Sequence, residues 1–245
     1  MSPNKREREN ARRRYEHYQA NLALKAKRRR QRTIAGAILG VAVLVLGISL
    51  AVSLSNNDTA APAALPTTQA TFTLPDPSTA QARTWTGTIS TSVGDIAVEL
   101  DGAAAPQAVA SFVSLAKQGY FDNTPCHRLA TGIKVLQCGD PTGKGDGGPG
   151  YSFGPIENAP ADSVYPAGTI AMARVGNDAS SMGSQFFLVY EDTTIPADSA
   201  GGYTVFGRVT SGLDVVKAVA DAGVQGGGAD GPPVTSVTIQ GVETQ

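Results

Sequence analysis

The sequence predicts a mainly β domain, a closed antiparallel barrel capped by two helices, preceded by a single transmembrane helix. Three observations lead there. From Arg83 onward, short β-like runs are separated by clusters of Gly, Pro, Asp and Asn. Only two segments carry helical periodicity, and strands and helices do not alternate regularly, which argues against a parallel sheet. Upstream lies a long run without a single charge.

In chain order, residues 1–33 form a basic arm with 12 of the 20 Lys and Arg and only three acids, Glu7, Glu9 and Glu16. The rest of the chain is acidic, so the formal net charge of −1 averages two opposite parts. Residues 34–54 are 21 uncharged, mostly aliphatic residues. At about 1.5 Å per residue they reach roughly 30 Å, the thickness of a bilayer's hydrocarbon core. Lys25 to Arg32 abut one end, and no Lys or Arg follows until Arg83. The positive-inside rule then puts the N-terminus in the cytoplasm and the remainder outside. Arm and apolar run both exceed the lengths of a cleaved signal peptide, although small residues around Ala60–Ala64 would suit cleavage. The arm could attract anionic lipid or nucleic acid, but its simplest role is to set topology, and no nucleic-acid partner is expected. Residues 55–82, rich in Ala, Thr, Pro and Ser, read as an extended tether. Residues 83–245 are then the folded domain, large enough for one core.

Within that domain, Thr84–Thr91 and Ile96–Leu100 alternate apolar and polar residues around a Val-Gly-Asp turn and predict a hairpin. Ala108–Tyr120 places Val109, Phe112, Val113, Leu115 and Ala116 at helical spacing, and Gly119 stops it. Strand-like runs follow around 126–129, 133–138, 169–174, 185–190 and 203–210. A second helix, Leu213–Ala222, precedes a last strand at Val234–Gln240.

The chemistry concentrates between residues 126 and 187, in Cys126-His127-Arg128, Gln137-Cys138-Gly139-Asp140 and Gly183-Ser184-Gln185-Phe186-Phe187. This offers a cation, two amides and paired aromatics, without the Ser-His-Asp, Cys-His or metal-ligand sets of bond-breaking enzymes. The glycine-rich run 143–150 lacks the Gly-Lys-Ser/Thr ending of a phosphate loop and precedes no helix. Cys126 and Cys138 lie on runs expected to pair, so they are either a disulfide or two buried thiols. His127 points away from Arg128 by strand alternation and reads as a hydrogen-bonded structural histidine.

The order His127-Arg128, Gln137-Cys138-Gly139-Asp140, Met172-Ala173, Gly183–Phe187 and Val205-Phe206-Gly207 resembles cyclophilin-type peptidyl-prolyl cis-trans isomerases, over essentially all of residues 85–243. The resemblance implies an eight-stranded cyclophilin-like barrel that binds proline-containing polypeptides with no metal or other cofactor; nothing in the sequence suggests an obligate dimer, so a monomer is expected. At the twisted transition state of an X-Pro bond the proline nitrogen regains a lone pair. A guanidinium aimed at it binds that state better than either planar one. Arg128 is the candidate catalyst. The resemblance assigns Phe187 to the floor of the proline pocket, with Gln137 and Gln185 beside Arg128. Ala173, Val135 and Tyr203 also fall on substrate-binding positions. Arg174 stands where the family's backbone contacts peptide, and its side chain would add an ionic preference. Thr194-Ile195 replaces the usual Trp-Leu pair, making Ile195 the wall residue. An extra residue leaves either Ile133 or Lys134 to fill a pocket position; Lys134 there would favour a proline-peptide-binding chaperone over an isomerase.

Overall fold

The structure, a computed structural model, describes residues 72–245. The basic arm, the apolar run 34–54 and tether residues 55–71 lie outside the described residues. Among the described residues, no helix is long and apolar enough to cross a membrane.

Residues 72–82, assigned by composition to the tether, are packed on the domain. Asp76 caps a 3₁₀ turn, Pro77–Ala80, by accepting the Ser78 N–H at 2.9 Å. Ala80 is fully buried, and its carbonyl accepts the indole N–H of Trp85 at 2.8 Å. Phe72 meets Tyr120 edge to face with ring centres 4.9 Å apart. A few well-placed apolar groups dock this segment, which is why its average composition gave no sign of it.

The hairpin forms as the alternation predicts. β1 (Thr84–Thr91) pairs antiparallel with β2 (Gly94–Asp101), with Thr91 opposite Gly94 across a two-residue turn. The first helix, α1, is Pro106–Lys117, not Ala108–Tyr120. Proline suits its first turn because the missing N–H would be unpaired there anyway. The free N–H groups of Gln107 and Ala108 donate to the two carboxylate oxygens of Glu157, each at 3.0 Å, an anion placed at the positive end of the helix. At the other end Gly119 takes φ +67°, and the Tyr120 N–H turns back onto the Leu115 carbonyl. The helix therefore closes just past Ala116, the last residue of its apolar stripe, at the glycine expected to stop it.

The remaining strands are β3 (Thr124–Pro125), β4 (Arg128–Ala130), β5 (Val135–Cys138), β6 (Val164–Tyr165), β7 (Thr169–Met172), β8 (Phe186–Val189), β9 (Thr193–Thr194), β10 (Val205–Ser211), β11 (Asp230–Gly231) and β12 (Thr238–Thr244). Helix α2, Leu213–Asp221, matches its prediction to within one residue. The last strand lies further along than Val234–Gln240, because its register is set by pairing with β1.

The main sheet is a curled antiparallel half-barrel of ten strands, ordered β11-β4-β5-β8-β7-β10-β2-β1-β12-β3. It is not the closed eight-stranded barrel that was expected. Its edges are the two-residue strands β11 and β3, which do not pair with each other. The gap is spanned by the chain itself, which runs from β3 through Cys126 into β4, with the Cys126 N–H bonded to the Val237 carbonyl at 2.9 Å. β6 and β9 form a separate small ladder.

Two apolar clusters result. The larger lies between the sheet and the helices, where Phe112 stacks against Phe121, Phe186 and Phe206. The smaller gathers Phe187, Val135, Ile195 and Tyr165, with Ile133 and Tyr203 packed against it. Alternation along β8 sends Phe186 to the first and Phe187 to the second, as period-two geometry requires.

Candidate active site

Strand register builds the site. Arg128 lies opposite Gln137, Gln137 opposite Phe187, and Phe187 opposite Ala171. Directly paired residues share a face, so cation, amide and aromatic form one row across β4, β5, β8 and β7. The Gln137 Oε1 accepts from Arg128 Nη1 at 2.9 Å, and its Nε2 donates to Gln185 Oε1 at 2.8 Å. Gln185 Nε2 donates in turn to the Gly147 carbonyl at 2.9 Å. Arg128 is thereby tied, through two amides, to the glycine-rich loop.

That loop is braced from below by Asp140, which accepts backbone N–H groups of Thr142 at 2.7 Å and Gly145 at 2.5 Å. Burial pushes the Asp140 carboxyl up, but the donors from Thr142, Gly147 and Gly145 outweigh it, leaving it below its usual range. A Cβ at Gly147 would sit 2.1 Å from an Asp140 oxygen, so the loop can approach only as glycine.

Most of the residues named from sequence converge here. Phe187 is nearly buried at the floor, with Val135 and Ile195 around it and Ala173 at its margin. Tyr203 stands edge-on to Phe187, ring centres 5.4 Å apart. Beside this apolar cluster opens a cleft of about 400 Å³ bordered by Gln137, Gly147, Ala173, Arg174 and Gln185. The Ile133 or Lys134 alternative resolves: Ile133 packs on the pocket cluster, while Lys134 takes φ +57° and turns out to Glu191, 2.9 Å away.

Arg174 departs from expectation. Its side chain is only 1% exposed, binding both Asp198 oxygens at 2.9 Å and the carbonyls of Gly201 and Gly202. Hydrogen bonding from Arg174 holds the Asp198 carboxyl far below its ordinary value. The guanidinium is a clamp on the 198–202 loop and stacks over Tyr203, so it confers no ionic preference on a ligand. The backbone N–H and carbonyl of Arg174 have no partner among the described residues, which leaves the main chain open to an extended peptide.

His127 also differs: both ring nitrogens are buried without a hydrogen bond among the described residues. Burial, with a smaller push from Arg128, lowers its pKa from 6.5 despite Asp140 nearby. A histidine kept neutral in the fold stabilises it fully above the unfolded value of about 6.5. That contribution is lost as pH falls below 6.5 and through the depressed folded value. Thermal unfolding measured from pH 7 downward should therefore decline more steeply for the wild type than for His127→Asn. Parallel curves would show that His127 carries no such linkage.

Cys126 and Cys138 are joined as a disulfide that brackets Arg128 and Gln137. Among the described residues no group of His, Cys, Asp and Glu could hold a metal ion. One site residue escaped the sequence analysis altogether. Asp230 in β11 accepts from Arg128 Nε at 2.7 Å and Nη2 at 2.6 Å. It is distant in the chain from Arg128, and its only sequence signal is that it is the one charged residue between Asp221 and Glu243.

This fold and this row of side chains define a cyclophilin-like domain. Residues 86–244 match the family model of cyclophilin type peptidyl-prolyl cis-trans isomerases, and the chain belongs to that family. The probable peptidyl-prolyl cis-trans isomerase B of Mycobacterium leprae is 44% identical over 178 residues, 67% of this chain and 57% of that protein. The protein of the same description from Mycobacterium tuberculosis is 47% identical over 165 residues, 62% of this chain and 52% of the relative. The chain thus spans about half the length of these mycobacterial relatives. Peptidyl-prolyl cis-trans isomerase B of Bacillus subtilis is 42% identical over 130 residues, 53% of this chain and 85% of the relative. Among solved structures, a Cryptosporidium parvum cyclophilin type isomerase crystallised with the dipeptide Ala-Pro superposes with TM-score 0.55 at 27% identity, covering 65% of this chain and 98% of that one.

Proposed function

We propose that this chain is a membrane-anchored peptidyl-prolyl cis-trans isomerase acting on exposed X-Pro bonds of proteins outside the cytoplasm, assisting their folding. The observation that carries the reading is the Arg128 guanidinium, held by Gln137 in the same cross-strand row as Phe187 and the apolar cluster around it. The pocket takes the proline ring. The guanidinium stabilises the pyramidal nitrogen of the twisted amide, and the free main chain of Arg174 receives the peptide backbone. No covalent intermediate is needed, because the gain is differential binding of the twisted state. The one feature that favoured a non-catalytic chaperone, a lysine in the pocket, is gone, since Lys134 faces Glu191.

Residues 34–54 serve as the anchor, with the basic arm inside and the domain outside on its tether. The Cys126–Cys138 disulfide supports that placement, since such bonds persist in oxidising compartments. The domain acts as a monomer. The test is a protease-coupled assay of proline-peptide isomerisation with the full chain in detergent. Acceleration over the spontaneous rate is expected; peptide binding without turnover would select the chaperone, and protection of the domain from protease added to intact cells would overturn the topology.

A further inference from the structure

We propose that Asp230 is a positioning residue for the Arg128 guanidinium, fixing its plane against the proline pocket. The inference rests on the isomerase reading and deepens it. A guanidinium has five N–H donors. Asp230 takes one on Nε and one on Nη2, and Gln137 takes one on Nη1, leaving one free on each terminal nitrogen. The single bond to Gln137 would let the group swing about it. The two-point fork from Asp230 removes that freedom, so the free N–H groups meet the twisted amide already aimed.

The backbone builds this carboxylate into place. Asp230 pairs with Ala130 in β11, and the Thr131 N–H donates to the Ala229 carbonyl at 2.8 Å. Behind it Gln225 N–H bonds the Pro232 carbonyl at 2.8 Å, closing the glycine-rich strap that carries the aspartate. Hydrogen bonding to Arg128 holds the Asp230 carboxyl below its usual range, so it stays charged. Arg128 and Asp230 side chains are 38% and 54% exposed, so solvent screens the charge that the carboxylate subtracts. Orientation, which solvent does not screen, is the larger effect, and losing Asp230 slows the reaction.

The experiment measures kcat and KM of the full chain for Asp230→Ala, Asp230→Glu and Arg128→Ala, and for Asp230→Ala combined with Arg128→Ala. Asp230→Ala should lower kcat about tenfold with KM unchanged, since the residue meets the substrate only through Arg128. Asp230→Glu should restore part of the loss, and the Ala change should have no effect once Arg128 is absent. The Arg128 Nε–H signal in nitrogen-15 spectra should exchange slowly in the wild type and fast in Asp230→Ala. A kcat equal to or above wild type overturns the proposal, as does the same loss persisting without Arg128, which marks a merely structural role. If the wild type itself shows no turnover, the isomerase reading falls separately, and the Nε–H exchange then decides positioning alone: slow exchange retained in Asp230→Ala overturns it.

Discussion

Replacing Arg128 with alanine should lower kcat/KM for proline-peptide isomerisation by about 10²–10³, with little change in melting temperature. The magnitude follows from removing one preorganised donor at the site of developing electron density, about 2.7–4 kcal/mol of transition-state stabilisation. The fall should appear in kcat, because the planar ground state offers the guanidinium no lone pair on nitrogen. Phe187 and Ile195 are untouched by the substitution, so proline-ring binding should persist in the variant. Stability should survive because the Arg128 side chain is partly exposed, where single substitutions are usually mild. Arg128→Lys is the sharper variant. An ammonium keeps the charge but cannot donate to both Asp230 oxygens and to Gln137 in one plane. It should recover only a small part of the loss. Activity equal to wild type in both variants would sink the electrostatic mechanism and leave the fold with a binding role.

The division of labour along β8 was legible from sequence because period two leaves no choice. Phe186 and Phe187 must face opposite sides, and the motif around them says which is which. Hairpin β1–β2 and the stripe on α1 were legible for the same reason, since each pattern is local. What escaped was decided by partners far along the chain. Helix α1 starts at Pro106 because Glu157, about fifty residues on, satisfies its first N–H groups. Arg174 is a clamp because Asp198 and two glycine carbonyls enclose it, which no spacing within its own strand could signal. Asp230 reaches Arg128 only because a two-residue strand closes the sheet edge. The closed barrel failed on the same ground: strand runs can be counted in a sequence, but whether the two last edges meet cannot. Ile133 and Lys134 mark an intermediate case. The added residue showed in the sequence, and the left-handed turn that absorbs it needed the backbone.

Removing the Cys126–Cys138 bond should cost about 3 kcal/mol, from the loop-closure entropy of a link spanning 12 residues. For a domain of this size that is a fall in melting temperature of roughly 6–12 °C. Both sulfurs are buried, so reductant reaches them only when the edge opens. The comparison is therefore between protein refolded with and without reductant, checked against a Cys126→Ala, Cys138→Ala double variant. Activity should respond much less than stability. Arg128 and Gln137 lie inside the closed loop, but their alignment is set by the β4–β5 ladder and by Asp230, which reduction leaves in place. The bond thus holds together the short-stranded edge where the half-barrel fails to close, and the row of site residues depends on that edge staying folded. Oxidised and reduced proteins with the same melting temperature would show that the ladder holds the edge unaided. Loss of turnover at a temperature where the reduced protein remains folded would show instead that the disulfide fixes Arg128 directly.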